Sequence, residues 1–184
     1  MLKIAALVGS LRQGSYNMQL ALTMKERYIK KMNLEIADIR SLPFFDQDME
    51  LDPPPEVGAF LRKVAAADGV LIVTPEYNWS VPGVLKNAID WLSRLDKVLI
   101  GKPVMTAGVS PGMMGTIRAQ LHLREILASP GVQAKLLPPA GNEIMISSAA
   151  LKFDETTKRL VDESTLRHID RIVDQFIEFA ADPR

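Results

Sequence analysis

The sequence predicts an α/β protein: a parallel sheet of five strands in the order 2-1-3-4-5, covered by helices on both faces. Three observations predict it. Continuous apolar runs of strand length alternate with stretches of helical spacing, as strands buried on both faces require. The runs ending at Val8, Val73 and Val109 are each followed by a loop of unusual composition. The chain has 184 residues, 47% hydrophobic and 24% charged, which suits one domain over 1–184 with a substantial core.

Charge and cysteine content narrow the function. Lys plus Arg and Asp plus Glu are 22 each, so no global field points to nucleic acid or a membrane surface. No Cys is present, which excludes disulfides, thiolate metal sites and thiol nucleophiles. The apolar run after Lys3 ends at Gly9, too short for a signal peptide, and no later run approaches membrane-spanning length. A cytoplasmic protein is expected.

The first strand is Leu2 to Val8, and the helix after Asn17 is expected to run to about Lys31. Leu34 to Ile39 alternates as a second strand near a sheet edge. Arg40 to Pro55 is irregular; its three consecutive prolines, Pro53 to Pro55, favour an extended segment, and Phe44 and Phe45 are expected to pin the loop to the body. Glu56 to Ala67 is helical, Val70 to Val73 a buried strand, and Val84 to Leu92 a helix. Val104 to Val109 is another buried strand, followed by a helix to about Ala128 that Ser129-Pro130-Gly131 stops. Val132 to Leu137 and Glu143 to Ile146 are the remaining strand candidates. Thr156 to Ala181 is a long amphipathic helix.

In such sheets ligands sit beyond the carboxyl ends of the strands. The first loop lacks the Lys-Ser/Thr of a triphosphate loop and the three glycines of a dinucleotide loop. It offers Ser10, Arg12, Ser15, Tyr16 and Asn17 at the start of a helix, which suits one terminal phosphate monoester. The second loop, Pro75 to Pro82, offers stiffly held backbone amides with Tyr77 and Trp79. The third, Ser110 to Thr116, offers glycines that let a flat molecule approach. A phosphate at one end and a planar ring at the other describe a mononucleotide, and flavin mononucleotide (FMN) is the one that does chemistry of its own.

Two blocks carry a family resemblance: Gly9-Ser10-Leu11-Arg12-Gln13-Gly14-Ser15-Tyr16-Asn17 and Pro75-Glu76-Tyr77-Asn78-Trp79-Ser80-Val81-Pro82-Gly83, continuing to Trp91. With Ser110 to Thr116 and Arg118 to Arg124, they make the chain resemble the NADPH-dependent FMN reductase family of the flavodoxin-like fold, which includes quinone, azo-dye and chromate reductases. The resemblance implies that Ser10, Arg12, Ser15, Tyr16 and Asn17 hold the FMN phosphate. It implies that Pro75, Glu76, Tyr77 and Asn78 lie along the ring and ribityl chain, and that Ser110 and Gly112 approach from the third loop. It further implies NADPH or NADH as donor, small-molecule electron acceptors, no catalytic side chain beyond the flavin, and a homodimer or homotetramer. Hydride would pass to flavin N5 and on to the acceptor in ping-pong turnover. Trp79 departs from the usual aromatic of the family and borders the substrate face.

Other readings stand beside this one. Glu76 is expected to serve by backbone placement rather than as a catalytic carboxylate, with its side chain at the rim or on a neighbouring subunit. His122 and His168 have no metal-ligand spacing. Trp91 is expected at a dimer interface, and Arg118, Arg124 and Glu143 in ion pairs across it. The alternatives in function are a flavodoxin-like electron carrier, whose acidic docking surface the zero net charge argues against, and a non-catalytic flavin-binding module.

Overall fold

A computed structural model describes residues 1–139 and 141–182. With strands β1 (Leu2–Val8), β2 (Met32–Ile36), β3 (Gly69–Val73), β4 (Pro103–Val109) and β5 (Lys135–Leu136), its sheet runs β2-β1-β3-β4-β5, all parallel, the order expected. The central strands are β1, β3 and β4. Their side chains alternate between two cores. Ile4, Ala6, Val8, Leu71 and Val73 face α1 (Tyr16–Arg27) and α5 (Glu163–Ala181). Ala5, Leu7, Val70 and Ile72 face α2 (Pro55–Ala65), α3 (Gly83–Leu92) and α4 (Ile117–Ala128).

The edges depart from expectation for local reasons. Helix α1 stops at Arg27, capped at Tyr28, and β2 covers Met32–Ile36, because Leu2 to Ala6 of β1 pair with those residues. The last sheet position is shared by two short strands rather than filled by one. β5 (Lys135–Leu136) pairs the start of β4, and β6 (Ile144–Ile146) pairs its end. Pro138 and Pro139, which have no N–H to donate, come after β5 with one residue between. Helix α5 begins at Glu163, not Thr156. The intervening residues instead turn around Asp154, whose carboxylate accepts from Thr156 and Thr157, and Phe153 bridges to Leu160. Asp162 then caps α5, its carboxylate accepting from the Thr165 N–H at 2.9 Å.

The proline-rich loop folds over α3. Asn87 donates to the Pro43 carbonyl (2.8 Å) and accepts from the Phe45 N–H (2.7 Å). Phe45 meets Trp91 edge-on at 5.0 Å, whereas Phe44 points to solvent and pins nothing. Trp91 is 2% exposed and donates its indole N–H to the Pro43 carbonyl. This corrects the expectation that Trp91 serves a dimer interface: its own chain covers it.

Candidate functional site

The three loops at the carboxyl ends of β1, β3 and β4 converge on a cleft of about 320 Å³, within the range of small-molecule sites. Its walls are Ser10, Arg12, Ser15, Tyr16, Asn17, Pro75, Glu76, Tyr77, Val109, Ser110 and Pro111. Nine of the expected residues are therefore brought together. Asn78 and Gly112 lie outside the walls: Asn78 sits at the tip of a turn, and the Gly112 N–H donates to Ser110 Oγ at 3.0 Å. Val109 and Pro111 were not anticipated; an apolar strand end and a loop proline carry no polar signal.

The first loop is built around the start of α1. Ser15 Oγ accepts from the Met18 N–H at 3.2 Å, which leaves its own hydroxyl hydrogen free to donate. The N–H groups of Tyr16 and Asn17, in the first helical turn, have no intrahelical acceptor and lie at the positive end of the helix. Asn17 reaches across the end of β3 to β4. Its Nδ2 donates to the Val109 carbonyl and its Oδ1 accepts from the Val109 N–H, both at 3.0 Å. Its amide is thus a staple between loop and sheet, with one N–H left over. Arg12 donates to the Gly14 carbonyl at 3.1 Å and lies 5.9 Å from the Tyr16 ring. No carboxylate pairs with it among the described residues, so its charge is available to an anion.

Close approach here requires glycine. A Cβ on Gly9 would meet Leu85 and Pro75 at 3.2 and 3.3 Å. A Cβ on Gly108 would lie 1.9 Å from Thr116 Oγ1 and 2.5 Å from the Thr74 carbonyl. Beneath it, Thr106 donates to Gln120, which donates in turn to Thr116 Oγ1 and the Ile144 carbonyl, each at 3.0 Å. This buried network fixes the start of α4 against β4.

The second loop closes on itself. Tyr77 and Ser80 exchange N–H···O bonds of 3.1 and 3.0 Å around Asn78 (φ 50°) and Trp79 (φ 64°). Positive φ at both central residues defines a type I′ turn. The N–H groups of Glu76, just before the turn, and of Asn78 and Trp79 within it are unspent donors. The Glu76 carboxylate accepts from the Ala119 N–H at 3.1 Å, capping α4.

The remaining charged candidates are engaged within the chain. Arg124 donates to the Leu137 carbonyl, Glu143 accepts from the Gly141 N–H, and Arg118 covers Trp79. Ser80 Oγ and His122 Nδ1 lie 2.8 Å apart, and His168 Nε2 lies 3.0 Å from the Glu143 carbonyl. Among the described residues no group of three His, Cys, Asp or Glu could hold a metal. A wider depression of about 750 Å³ lies at the opposite end of the sheet. There Lys102 caps α2 through the Ala65 and Ala67 carbonyls and Asp68 accepts from the Lys3 N–H, so those charges serve the fold.

Residues 2–149 match the family described as NADPH-dependent FMN reductase. The chain belongs to this family. It is 41% identical over 182 residues to a quinone reductase of Escherichia coli strain K12, covering 97% of this chain and 95% of that one. It is 39% identical over 182 residues to an NADH-dependent flavin reductase subunit 2 of Lactobacillus johnsonii, covering 97% of each. The solved flavoenzyme NAD(P)H:(acceptor) oxidoreductase of Paracoccus denitrificans superposes with a TM-score of 0.87 at 31% identity, over 98% of this chain and 97% of that one. The chain is accordingly an NAD(P)H-dependent flavin oxidoreductase with FMN as its cofactor. The cleft fits that group. Hydroxyls, helix-start N–H groups and one unpaired guanidinium line one end, and a turn with unspent amides stands at the other.

Proposed function

We propose that the chain, acting as one flavin-binding unit, passes electrons from NADH or NADPH to flat small-molecule acceptors such as flavins, quinones and azo compounds. Turnover in this reading is ping-pong, donor and acceptor using one open face in turn. The observation that carries it is the one cleft that brings the phosphate-suited residues of the first loop together with Pro75, Glu76 and the exposed Tyr77 of the second. Bound FMN supplies the hydride chemistry there, at N5.

The chain's own residues bind and orient. Ser10, Arg12, Ser15, Tyr16 and Asn17 hold the phosphate, Arg12 by charge and the helix start by N–H groups. Pro75, Glu76, Tyr77 and Asn78 flank the ring and ribityl chain, with the Glu76 and Asn78 N–H groups as donors to a ring edge. Ser110 closes the third side, and the Gly112 N–H donates to it. A cytoplasmic location, where the nicotinamide donors are plentiful, and a homodimer or homotetramer belong to the same reading.

The test is direct. The purified holoprotein is yellow, and its flavin absorbance bleaches when NADPH or NADH is added without acceptor. Arg12→Ala raises the FMN dissociation constant about tenfold, one charge-assisted contact at an exposed site. Flavin that stays oxidised with both nicotinamides ends the reductase reading; unchanged FMN affinity in Arg12→Ala ends the phosphate assignment.

A further inference from the structure

Phe153 stands outside the cleft and beyond the stretch 2–149 that matches the family, yet it packs against the wall that the flavin phosphate would meet. It is 5% exposed, and its ring lies 5.3 Å from the ring of Tyr16, tilted by 54°. Tyr16 is the first residue of α1 and a wall of the cleft. The Arg12 guanidinium lies 5.9 Å from the centroid of the same ring, within reach of a cation–π contact. A buried ring, a half-buried ring and a cation of the cleft wall thus form one chain of contacts.

Core packing explains part of this, since Phe153 belongs to the core beneath α1. It does not explain how firmly Phe153 is fixed relative to that helix. The Phe153 N–H donates to the Ala149 carbonyl, and the residue bridges to Leu160. The Leu160 N–H donates to Thr23 Oγ1 at 3.1 Å, and Arg159 holds Glu26 through two bonds of 2.8 and 2.6 Å. Thr23 and Glu26 both lie on α1. The segment that carries Phe153 is therefore tied to the same helix whose first side chain Phe153 backs. Arg12 gains from this. A long side chain on a loop loses rotamer freedom when it grips a ligand, and a fixed ring beside the guanidinium reduces that loss.

We propose that Phe153 is a positioning residue for the cofactor: it backs Tyr16, whose ring sets the direction of the Arg12 guanidinium toward the flavin phosphate. The inference rests on the phosphate assignment above and deepens it. Phe153 is then felt by the phosphate of the cofactor and not by its ring system.

For the test, bound flavin is stripped from the holoprotein, and the chain is titrated with FMN and with riboflavin, which lacks only the phosphate. Flavin fluorescence gives both dissociation constants. Wild type prefers FMN by at least about thirtyfold. Phe153→Leu keeps an apolar side chain and loses the ring; it lowers that preference about fivefold, through FMN alone. In an Arg12→Ala background the same substitution lowers it by less than about twofold, because the group it acts through is gone. Equal weakening of both flavins marks a merely structural residue and overturns the proposal. So does an unchanged preference, or a fivefold loss that persists without Arg12. Should Phe153→Leu fold poorly, the wild-type chain decides. There FMN slows amide hydrogen exchange over residues 149–161 about threefold more than riboflavin does, as reciprocal coupling requires. Equal protection by the two flavins overturns the proposal. A wild type with no preference for FMN removes the phosphate assignment itself, whereas a preference that Phe153→Leu leaves intact removes this inference alone.

Discussion

The two ends of the cleft are built on opposite plans. At the end formed by Ser10 to Asn17, Ser15 and Asn17 are 3% and 4% exposed and Asn17 is bonded twice to the last residue of β4. On the rim beyond the other end, Trp79 and Met113 are 70% and 87% exposed. The difference teaches a division of labour. The end suited to a constant chemical group is preorganised, so little ordering cost remains when that group binds. In the proposed reading, the end that meets changing partners is left as surface.

The sharpest way to break this comparison is Asn17→Ala. It strands a buried N–H and a buried carbonyl of Val109, which costs about 2–4 kcal/mol and lowers Tm by about 4–12 °C. FMN affinity should fall with it. A variant with wild-type Tm in calorimetry would show the staple to be idle. Trp79→Gly tests the other end. It relieves a positive φ and removes no core contact, so Tm moves by less than about 3 °C. FMN affinity, measured by fluorescence titration, stays within about threefold, because Trp79 does not line the cleft. Destabilisation matching that of Asn17→Ala would erase the distinction.

The smallest effect is acid sensitivity, and it belongs to the face that carries α1 and α5. The Thr165 hydroxyl, with the Thr165 N–H and Ser164, holds the Asp162 carboxyl at about 2. The Arg27 guanidinium, with Tyr28, holds the Asp170 carboxyl below its usual range. Both folded values lie below the unfolded value of about 3.9. Their stabilisation is therefore present above about pH 4 and is lost as pH falls toward about 2. Tm followed by circular dichroism should drop across that window, less steeply in Asp162→Asn, which keeps the cap without the titration.

Much of this molecule was legible in its residues. The runs ending at Val8, Val73 and Val109 could only be strands buried on both faces, and their order placed the three loops on one edge. The Ser/Arg/Asn composition of the first loop marked its helix start. What escaped was set by partners distant in sequence. The destination of the Glu76 carboxylate is set by Ala119, 43 residues on, which donates to it. Trp91 is expected at a dimer interface, but the loop at Pro43 of the same chain folds over it. The type I′ turn was hidden because Asn78-Trp79 lacks the glycine that usually announces it. The start of α5 was misplaced because Thr156 to Leu160 mimic helical spacing while Asp154 winds them into a turn.

The bond from Ala119 to Glu76 ties the second loop to the helix that follows the third. The rim is consequently one mechanical part. An engineer who transplants a new turn at Asn78 and leaves the old α4 behind strips that helix of its only acidic cap among the described residues. Redesign of this face has to exchange both pieces as a matched set, and natural drift in one should be answered by drift in the other.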